Sequence, residues 1–256
     1  MTTFKINPDA PIIYSEKFIV RSYHVDINRK LTVQSLCGFF QEVAGNHTVA
    51  CGVGWEIMQN NHIFWVLSRL KIEVSQYPVW KDEITIKSWS NGLDGFMAIR
   101  NFQVEGSNGE ILVKAVSAWL MVNTETRRLV RADEYMQDFP LHTERLFNEN
   151  PGKVAILNQP VTFAASSVSY TETDMNLHMN NVSYIDRIIN TFPLEFLQKH
   201  TISEFEINFL KEAVTGDMLM VQQQKIEDEE FLNNIVQSEN GKEMVRTKMK
   251  WITFQP

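Results

Sequence analysis

The sequence predicts an α+β fold in which one unit, a helix followed by an antiparallel sheet, occurs twice. Residues 66–89 align without a gap on residues 201–224, and the apolar residues of the two segments alternate in step. Alternation with a period of two is typical of strands with one buried face. One apolar stripe at helical spacing lies in each half, so we expect each sheet to wrap around its helix.

The composition is that of a folded, acidic protein. Of 256 residues, 44% are apolar and 21% are charged, and the formal net charge is −7. Nucleic-acid-binding surfaces carry clustered Lys and Arg, so this balance argues against such a partner. The apolar runs are far shorter than the roughly 18 residues of a membrane-spanning helix, and the first residues do not resemble a secretory signal. We therefore expect a soluble, cytoplasmic protein without a membrane partner.

Each predicted helix has a start signal and an apolar face. The first begins near Thr32, a residue type that commonly caps helix N-termini. The second begins near Asn180 or Asn181 and is expected to continue until Pro193, which stops it. The expected inward residues are Leu36, Phe39, Phe40, Val43 and Ala44 in the first helix and Val182, Ile185, Ile188, Ile189 and Phe192 in the second.

Two Asn-Gly pairs and one irregular segment complete the organisation. The pairs at 108–109 and 240–241 each lie between strand-like runs and predict two-residue hairpin turns in which both residues have positive φ. The segment between the halves is rich in Pro, Asn and charge, which indicates a linker, although its last part could add a short strand at 154–157. The predicted organisation is an N-terminal unit, 1–139, a linker, 140–160, and a C-terminal unit, 161–256.

Familiar cofactor and metal motifs are absent from the sequence. It has no phosphate-binding glycine loop, no serine-hydrolase nucleophile elbow and no HExxH zinc helix, and its six histidines are scattered. Cys37 and Cys51 cannot form a disulfide framework and lack metal-ligand spacing. We expect no cofactor, no metal and a packing role for both thiols.

One segment combines residue types that can carry chemistry. Asp174, Asn176 and His178 occupy alternate positions just before the second helix. In an extended segment their side chains would share one side, and the helix N-terminus behind them would favour a developing oxyanion. The first half repeats the Asp and the Asn but has Lys30 at the position of the histidine. Histidine titrates near neutral pH whereas lysine is a cation there, so we place one active site in the C-terminal half.

A carboxylate shows the same asymmetry. Glu212 aligns with Tyr77 of the first copy, so an acid and an imidazole occur together only in the second. An alternative stays open for the triplet, since Asp and Asn are common turn and capping residues and a histidine can be a satisfied polar side chain.

The string DxNxHxNN at 174–181 resembles a motif of acyl-acyl carrier protein thioesterases, a family of bacteria and plant plastids. The resemblance implies a tandem, or double, hot-dog fold with two long central helices and continuous sheets. It also implies hydrolysis of the acyl-carrier thioester to free fatty acid and carrier protein. The family's catalytic residues fall on Asp174, Asn176, His178 and Glu212. The likeness covers nearly the whole chain and includes Arg21-Ser22-Tyr23, Gln41-Glu42, Asn46-His47, Trp65-Val66, Arg69, Tyr77-Pro78, Trp80, Asp82 and Thr126-Arg127-Arg128-Leu129.

One departure from the family constrains the mechanism. Plant members carry a cysteine directly after the catalytic glutamate, and this chain has Ala213 there. A covalent acyl-cysteine at that position is excluded, which leaves attack by water. The sequence thus predicts that Glu212, assisted by His178, takes a proton from water, that Asn176 orients the carbonyl or the water, and that Asp174 holds the loop.

An acyl chain needs a dry pocket, and the first half offers candidates for its lining. These are the inward face of the helix at 32–50 together with Phe64, Val66 and Phe96, although the same residues could simply form core. The sequence does not indicate a preferred chain length.

The carrier protein is expected to be acidic, so a net charge of −7 requires a local basic face. Arg127, Arg128 and Arg131 form the densest basic cluster and are the candidate contacts, with a solvated turn as the alternative for each. The alternatives are an acyl-CoA thioesterase, a hot-dog dehydratase or a non-catalytic acyl-binding module, and pairing into a homodimer stays open.

Overall fold

The computed structural model describes residues 4–254, which form one antiparallel sheet of twelve strands and four α-helices. Residues 1–3 and 255–256, the ends of the two predicted units, lie outside the described residues. The helices are α1 (Val33–Ala50), α2 (Trp55–Asn60), α3 (Asn181–Ile189) and α4 (Leu194–Leu197). The strands are β1 (Tyr14–Ile19), β2 (Ile63–Val74), β3 (Glu83–Asp94), β4 (Met97–Glu105), β5 (Ile111–Asn123), β6 (Leu129–Val130), β7 (Val161–Thr162), β8 (Ser166–Ser167), β9 (His200–Phe209), β10 (Met218–Glu227), β11 (Glu230–Gln237) and β12 (Glu243–Thr253).

The two halves join through β2 and β9, at the centre of the strand order β1-β3-β4-β5-β2-β9-β12-β11-β10-β7. Lys71 pairs with Glu206, the residue that occupies the same position in the second copy of the repeat. On either side of this pair the order is reversed. Leu70 aligns with Phe205 in the repeat but lies opposite Ile207, and Ile72 aligns with Ile207 but lies opposite Phe205. An approximate two-fold axis therefore relates the copies, and the predicted continuous sheet is confirmed.

The strand alternation predicted from the repeat places the expected residues in the core. Leu70, Ile72, Phe205 and Ile207 are buried and belong to one large apolar cluster with residues of α1 and α3. Burying such surface is the main driving force for assembling the two units. The copies thus share a core as well as a sheet.

The first helix follows its prediction. Thr32 caps α1 by accepting a 3.1 Å hydrogen bond from the backbone N–H of Ser35. Asn180 caps α3 in the same way through the N–H of Val182. None of the helices among residues 4–254 has the length and apolar character of a membrane span.

The second predicted helix is present and starts where predicted, but it is shorter than expected. Helix α3 ends at Ile189, and Phe192 lies in the following turn with its ring 5.0 Å from that of Phe231. Pro193 disfavours a helical conformation at Phe192, and the chain has already left the helix one turn before it. Phe192 is nevertheless buried, as predicted.

Both Asn-Gly hairpins are present, but their turns are longer than two residues. Gly109 and Gly241 have φ of 83° and 69°, while neither preceding asparagine has a positive φ. The Asn240 side chain instead accepts a hydrogen bond from the N–H of Lys242. A turn closed by an asparagine side chain leaves only the glycine in the left-handed region.

The linker region packs in an irregular conformation, and residues 154–157 add no strand. Val154 and Leu157 are buried against Leu232, and the Val154 N–H donates to the side-chain oxygen of Asn208. Apolar contacts and side-chain hydrogen bonds thus attach residues 154–157 to the sheet without strand pairing, while Leu141, at the start of the linker, forms an isolated β-bridge with Ser90.

Candidate active site

The candidate catalytic segment is a tight loop. The Asp174 Oδ1 accepts hydrogen bonds from the backbone N–H of Asn176 at 2.8 Å and of His178 at 3.2 Å. Leu177 adopts a φ of 65°, which reverses the chain. The expectation of an extended segment with alternate residues on one side was wrong, because the aspartate side chain folds the loop back on itself.

The first half contains the same loop. The Asp26 Oδ1 accepts from the backbone N–H of Asn28 at 2.8 Å and of Lys30 at 2.9 Å, and Arg29 has a φ of 62°. An identical conformation in a copy without the histidine indicates that the aspartate forms the frame of the loop in both halves.

The frame brings His178 next to Glu212. His178 forms a β-bridge with Val214, and the Met179 N–H donates to the Ala213 carbonyl at 2.8 Å. The His178 Nε2 consequently lies 3.5 Å from the Glu212 Oε2, with 26% and 31% of the two side chains exposed. An imidazole and a carboxylate at this separation, with access to solvent, can hold and deprotonate a water molecule.

Tyr184 holds the segment after Glu212 in place, a role that the sequence did not reveal. Its hydroxyl accepts a 3.0 Å hydrogen bond from the N–H of the buried Ala213. Burial raises the pKa of Tyr184 to about 12, so the hydroxyl is neutral at physiological pH. The one signal in the sequence is its position on α3, one turn after Asn181 and one turn before the buried Ile188.

Arg127 also reaches Glu212, from the opposite half of the protein. Its guanidinium contacts the Glu212 Oε2 and lies 5.6 Å from the centre of the Phe64 ring. Arg127 follows β5 in a turn where it has a φ of 56°. This contact across the two halves carries no local sequence signal.

The side chains of the remaining predicted site residues, Asn176, Arg128 and Arg131, form no hydrogen bond or ion pair with His178 or Glu212 in the described chain. Asn176 is exposed, and its side chain makes no hydrogen bond to a residue of the described chain. Arg128 is exposed, and within residues 4–254 it has no acidic partner. Arg131 pairs with Asp133 through two contacts of 3.1 and 2.6 Å.

In the first copy, the equivalent residues contact the other half. The buried Tyr77 hydroxyl donates to the Ile202 carbonyl at 2.7 Å. The Lys30 Nζ lies 3.2 Å above the Phe254 ring, and burial lowers its pKa. Each residue uses its polar group in a contact between the halves.

Both cysteines are buried and lie on or just after α1. Burial raises the pKa of Cys51 to about 11 and also raises that of Cys37. Thiols with a raised pKa are poor nucleophiles, in keeping with the predicted packing role.

A cavity of about 530 Å³ lies beside α1. The helix contributes Gln41, Ala44, Gly45 and Thr48 to its lining, so Ala44 is the one residue of the predicted inward face that lines it. Phe64, Val66 and Phe96 are not among its residues. Trp65 lines the cavity instead. Its neighbours Phe64 and Val66 face the other side of β2, because alternate residues of a strand face opposite sides.

The Gln41 Oε1 accepts a 2.9 Å hydrogen bond from the side chain of Asn181, the first residue of α3. Gln41 thus links the cavity wall to the start of α3, while Asp174, Asn176, His178 and Glu212 are not among the residues that line the cavity.

Comparison with known proteins gives a consistent result. The model for the acyl-ACP thioesterase N-terminal domain matches residues 11–139, and the C-terminal domain model matches 158–253. Oleoyl-acyl carrier protein thioesterase 2 of Arabidopsis thaliana is 30% identical over 93% of this chain and 76% of its own length. The oleoyl-acyl carrier protein thioesterase of Coriandrum sativum is 31% identical, over 80% of this chain and 61% of its own.

Solved structures extend the comparison. An acyl-ACP thioesterase from Bacteroides thetaiotaomicron superposes with a TM-score of 0.85 at 28% identity, covering 94% of this chain and 98% of that one. A 12:0-ACP thioesterase from Umbellularia californica has a TM-score of 0.83 at 23% identity, covering 95% and 98%, and supports the fold alone.

The duplicated sheet wrapped around two helices is a double hot-dog fold, and the class of protein is thioester hydrolase. The chain belongs to the acyl-acyl carrier protein thioesterase family. The two plant relatives are chloroplastic proteins, and a cytoplasmic location for this chain stays a prediction.

An ion pair attaches the loop before the site to α3. The Arg187 Nε donates to the Glu172 Oε1 at 2.6 Å, and the Glu172 carbonyl accepts from the N–H of Asn180. The neighbouring Arg187 guanidinium, helped by hydrogen bonds from Ser169, lowers the pKa of Glu172 to about 2.

Replacing this carboxylate should destabilise the protein in a pH-dependent way. Because the folded-state pKa lies below the unfolded value of about 4.3, the stabilisation is complete above that pH and is lost as the pH falls towards 2. We expect Glu172→Gln to lower the free energy of unfolding by about 1–3 kcal/mol at pH 7, and by progressively less between pH 5 and pH 3. Urea unfolding at several pH values measures this.

Glu83→Gln is the matched control, since Glu83 pairs with Lys17 on the surface with 54% of its side chain exposed. Its effect should stay under about 1 kcal/mol. An equal deficit of Glu172→Gln at pH 7 and pH 3 would contradict the account.

Proposed function

We propose that the protein hydrolyses the thioester between an acyl chain and its acyl carrier protein, releasing the free fatty acid and the carrier. The observation that carries the proposal is the 3.5 Å separation of the His178 Nε2 and the Glu212 Oε2, just before the helix that Gln41 links to the cavity wall. Family membership supports the substrate class. In this proposal the C-terminal unit performs the chemistry and the N-terminal unit holds the acyl chain.

The reaction begins with a water molecule held by the acid and the imidazole. Glu212, assisted by His178, removes a proton from the water while the water oxygen attacks the thioester carbonyl carbon. The tetrahedral intermediate then expels the carrier's thiolate, which takes up the proton, and the fatty acid remains. Asn176, exposed at the loop, orients the carbonyl or the water, while Asp174 keeps the loop in shape. General base catalysis of this kind is worth about 10²–10⁴-fold.

The N-terminus of α3 offers a place for the negative charge of the intermediate. The Val182 N–H is capped by Asn180 and the Ser183 N–H bonds to the Asn180 carbonyl. Among the described residues, the Asn181 N–H has no acceptor. A free amide at the positive end of a helix stabilises an oxyanion, so we assign it this role.

Replacing the acid tests the mechanism directly. We expect Glu212→Gln to lower kcat by about 10²–10⁴-fold, because an amide cannot take a proton from water. The measurement is the release of free fatty acid from a panel of acyl-carrier thioesters of different chain length. Glu206→Gln is the control, since Glu206 lies on β9 at the junction of the halves. Near-normal hydrolysis by a folded Glu212→Gln protein would rule out this assignment.

The three candidate arginines differ in their availability to an acidic carrier. Arg131 is already paired with Asp133, and Arg127 contacts Glu212. Arg128 is exposed without an acidic partner in the described chain, which favours it as the carrier contact. Arg127 would then serve mainly to position the Glu212 carboxylate.

These two roles predict different substrate dependence. Arg128→Gln should lower kcat/KM several-fold for carrier-bound substrate at low salt and leave hydrolysis of the corresponding acyl-CoA nearly unchanged. Arg127→Gln should lower both activities, because Glu212 is used with either substrate. Wild-type kcat/KM for the carrier substrate should also fall as salt is added.

An equal loss on both substrates in Arg128→Gln would argue against carrier contact by this residue. Higher wild-type activity on acyl-CoA than on the acyl-carrier thioester would instead favour the alternative of an acyl-CoA thioesterase.

A further inference from the structure

A buried cation lines the cavity beside α1. Arg100, in β4, is only 7% exposed and belongs to the cavity wall, whose other residues are largely apolar. No carboxylate within residues 4–254 forms an ion pair with it. Burial lowers the pKa of Arg100 to about 10, which still leaves it charged at neutral pH. The apolar neighbours in the wall are Trp65, Ile99, Trp119, Met136, Phe139 and Leu141.

One side of the guanidinium has structural partners. Its Nη1 donates to the His47 Nδ1 at 2.9 Å and to the Ser88 Oγ at 3.1 Å. The His47 Nε2 in turn donates to the Pro11 carbonyl at 2.8 Å. Burial and the neighbouring Arg100 lower the pKa of His47 to about 4, so the imidazole is neutral and accepts at Nδ1. This cluster contains no negative charge, and the carboxylate of Asp133, which also lines the cavity, is paired with Arg131.

The other side of the guanidinium is available to a ligand. Its Nε and Nη2 donate to no group of the described chain. They are not sealed from solvent either, since the buried unpartnered side-chain atoms of the described residues belong to Asn234 and Trp251. Three N–H groups can therefore meet a molecule in the cavity, and the Nε and Nη2 pair has the fork geometry that binds two acceptors.

The position of Arg100 matches the distant part of a bound acyl chain. Arg100 pairs with Ser117, in the middle of β5, whereas Arg127, at the candidate catalytic site, follows the C-terminal end of that strand. The strand between Ser117 and Asn123 spans roughly 20 Å at about 3.3 Å per residue. An acyl chain that runs from a thioester at Glu212 into this cavity would therefore have its far part near Arg100.

We propose that Arg100 recognises an oxygen acceptor on the acyl chain, namely a hydroxyl, carbonyl or carboxylate group far from the thioester. A plain alkyl chain that filled the cavity would leave three N–H groups without acceptors, and such unmade hydrogen bonds are costly. An oxygen-substituted chain supplies them with a partner while its methylene groups contact the apolar wall. The inference rests on the proposed thioester hydrolysis and concerns the acyl group that the enzyme prefers.

Substrates of equal length test the inference on the wild-type protein. The probes are acyl-carrier thioesters with no substituent or with one hydroxyl, oxo or terminal carboxyl group, placed at successive carbons from the middle to the end of the chain. We expect kcat/KM to rise about tenfold or more over the plain chain at one distal position. A plain chain that matches or exceeds the substituted chains at every position would overturn the inference, even with hydrolysis intact.

The same comparison can be made without catalysis. Calorimetry of the free hydroxy, oxo and dicarboxylic acids against the plain acid should show tighter binding of one substituted acid by about tenfold. If no thioester is hydrolysed, the proposed function fails, and this binding series still decides the role of Arg100. Equal or tighter binding of the plain acid contradicts it.

A pair of variants assigns the preference to the residue. Arg100→Met should abolish the preference for the substituted substrate and improve hydrolysis of the plain chain. Arg69→Met is the control, because Arg69 donates to the Pro151 carbonyl and is not part of the cavity wall. It should keep the wild-type ratio of the two rates. An unchanged ratio in a folded Arg100→Met protein contradicts the inference, and the wild-type series decides the question if that variant does not fold.

Discussion

The Asp174 carboxylate makes the interaction on which the candidate site depends. By accepting two N–H groups of its own loop, it fixes the reversal at Leu177 and sets His178 in register with Val214. His178 and Glu212 come from distant parts of the chain, and the bridge between His178 and Val214 holds the two segments side by side. Tyr184 holds the segment after Glu212 in place through the N–H of Ala213. The geometry therefore rests on short polar contacts, which lose their strength quickly with distance.

The two copies of the repeated unit share a loop but differ in the side chains that it carries. Both copies retain the aspartate-centred loop, so its shape does not distinguish them. In the first copy, the positions of His178 and Glu212 hold Lys30 and Tyr77, whose polar groups contact the other half. The second copy keeps its groups exposed to solvent at the same place in the fold. The same loop thus has different roles in the two halves. In the first half it contributes to contacts with the other half, and in the second, as we propose, it carries the catalytic histidine.

Local signals predicted more of the fold than of the site. Strand alternation and the capping residue Thr32 depend on near neighbours and are confirmed, whereas α3 ends one turn before the stop predicted from Pro193. The loop at Asp174 was taken as extended, since spacing alone does not reveal a side chain that bonds to its own backbone. The approach of Arg127 to Glu212 and the surroundings of Arg100 involve residues far apart in sequence, which only the folded chain brings together.

The most direct test of this account compares the two copies at their equivalent positions. Single-turnover hydrolysis of an acyl-carrier thioester is measured for His178→Ala and for Lys30→Ala, each checked for folding by circular dichroism. The account predicts a rate constant about 10²–10⁴-fold below wild type for His178→Ala and within about threefold of wild type for Lys30→Ala. Comparable losses in the two variants, or a wild-type rate without the imidazole, would contradict the placement of the chemistry in the second copy.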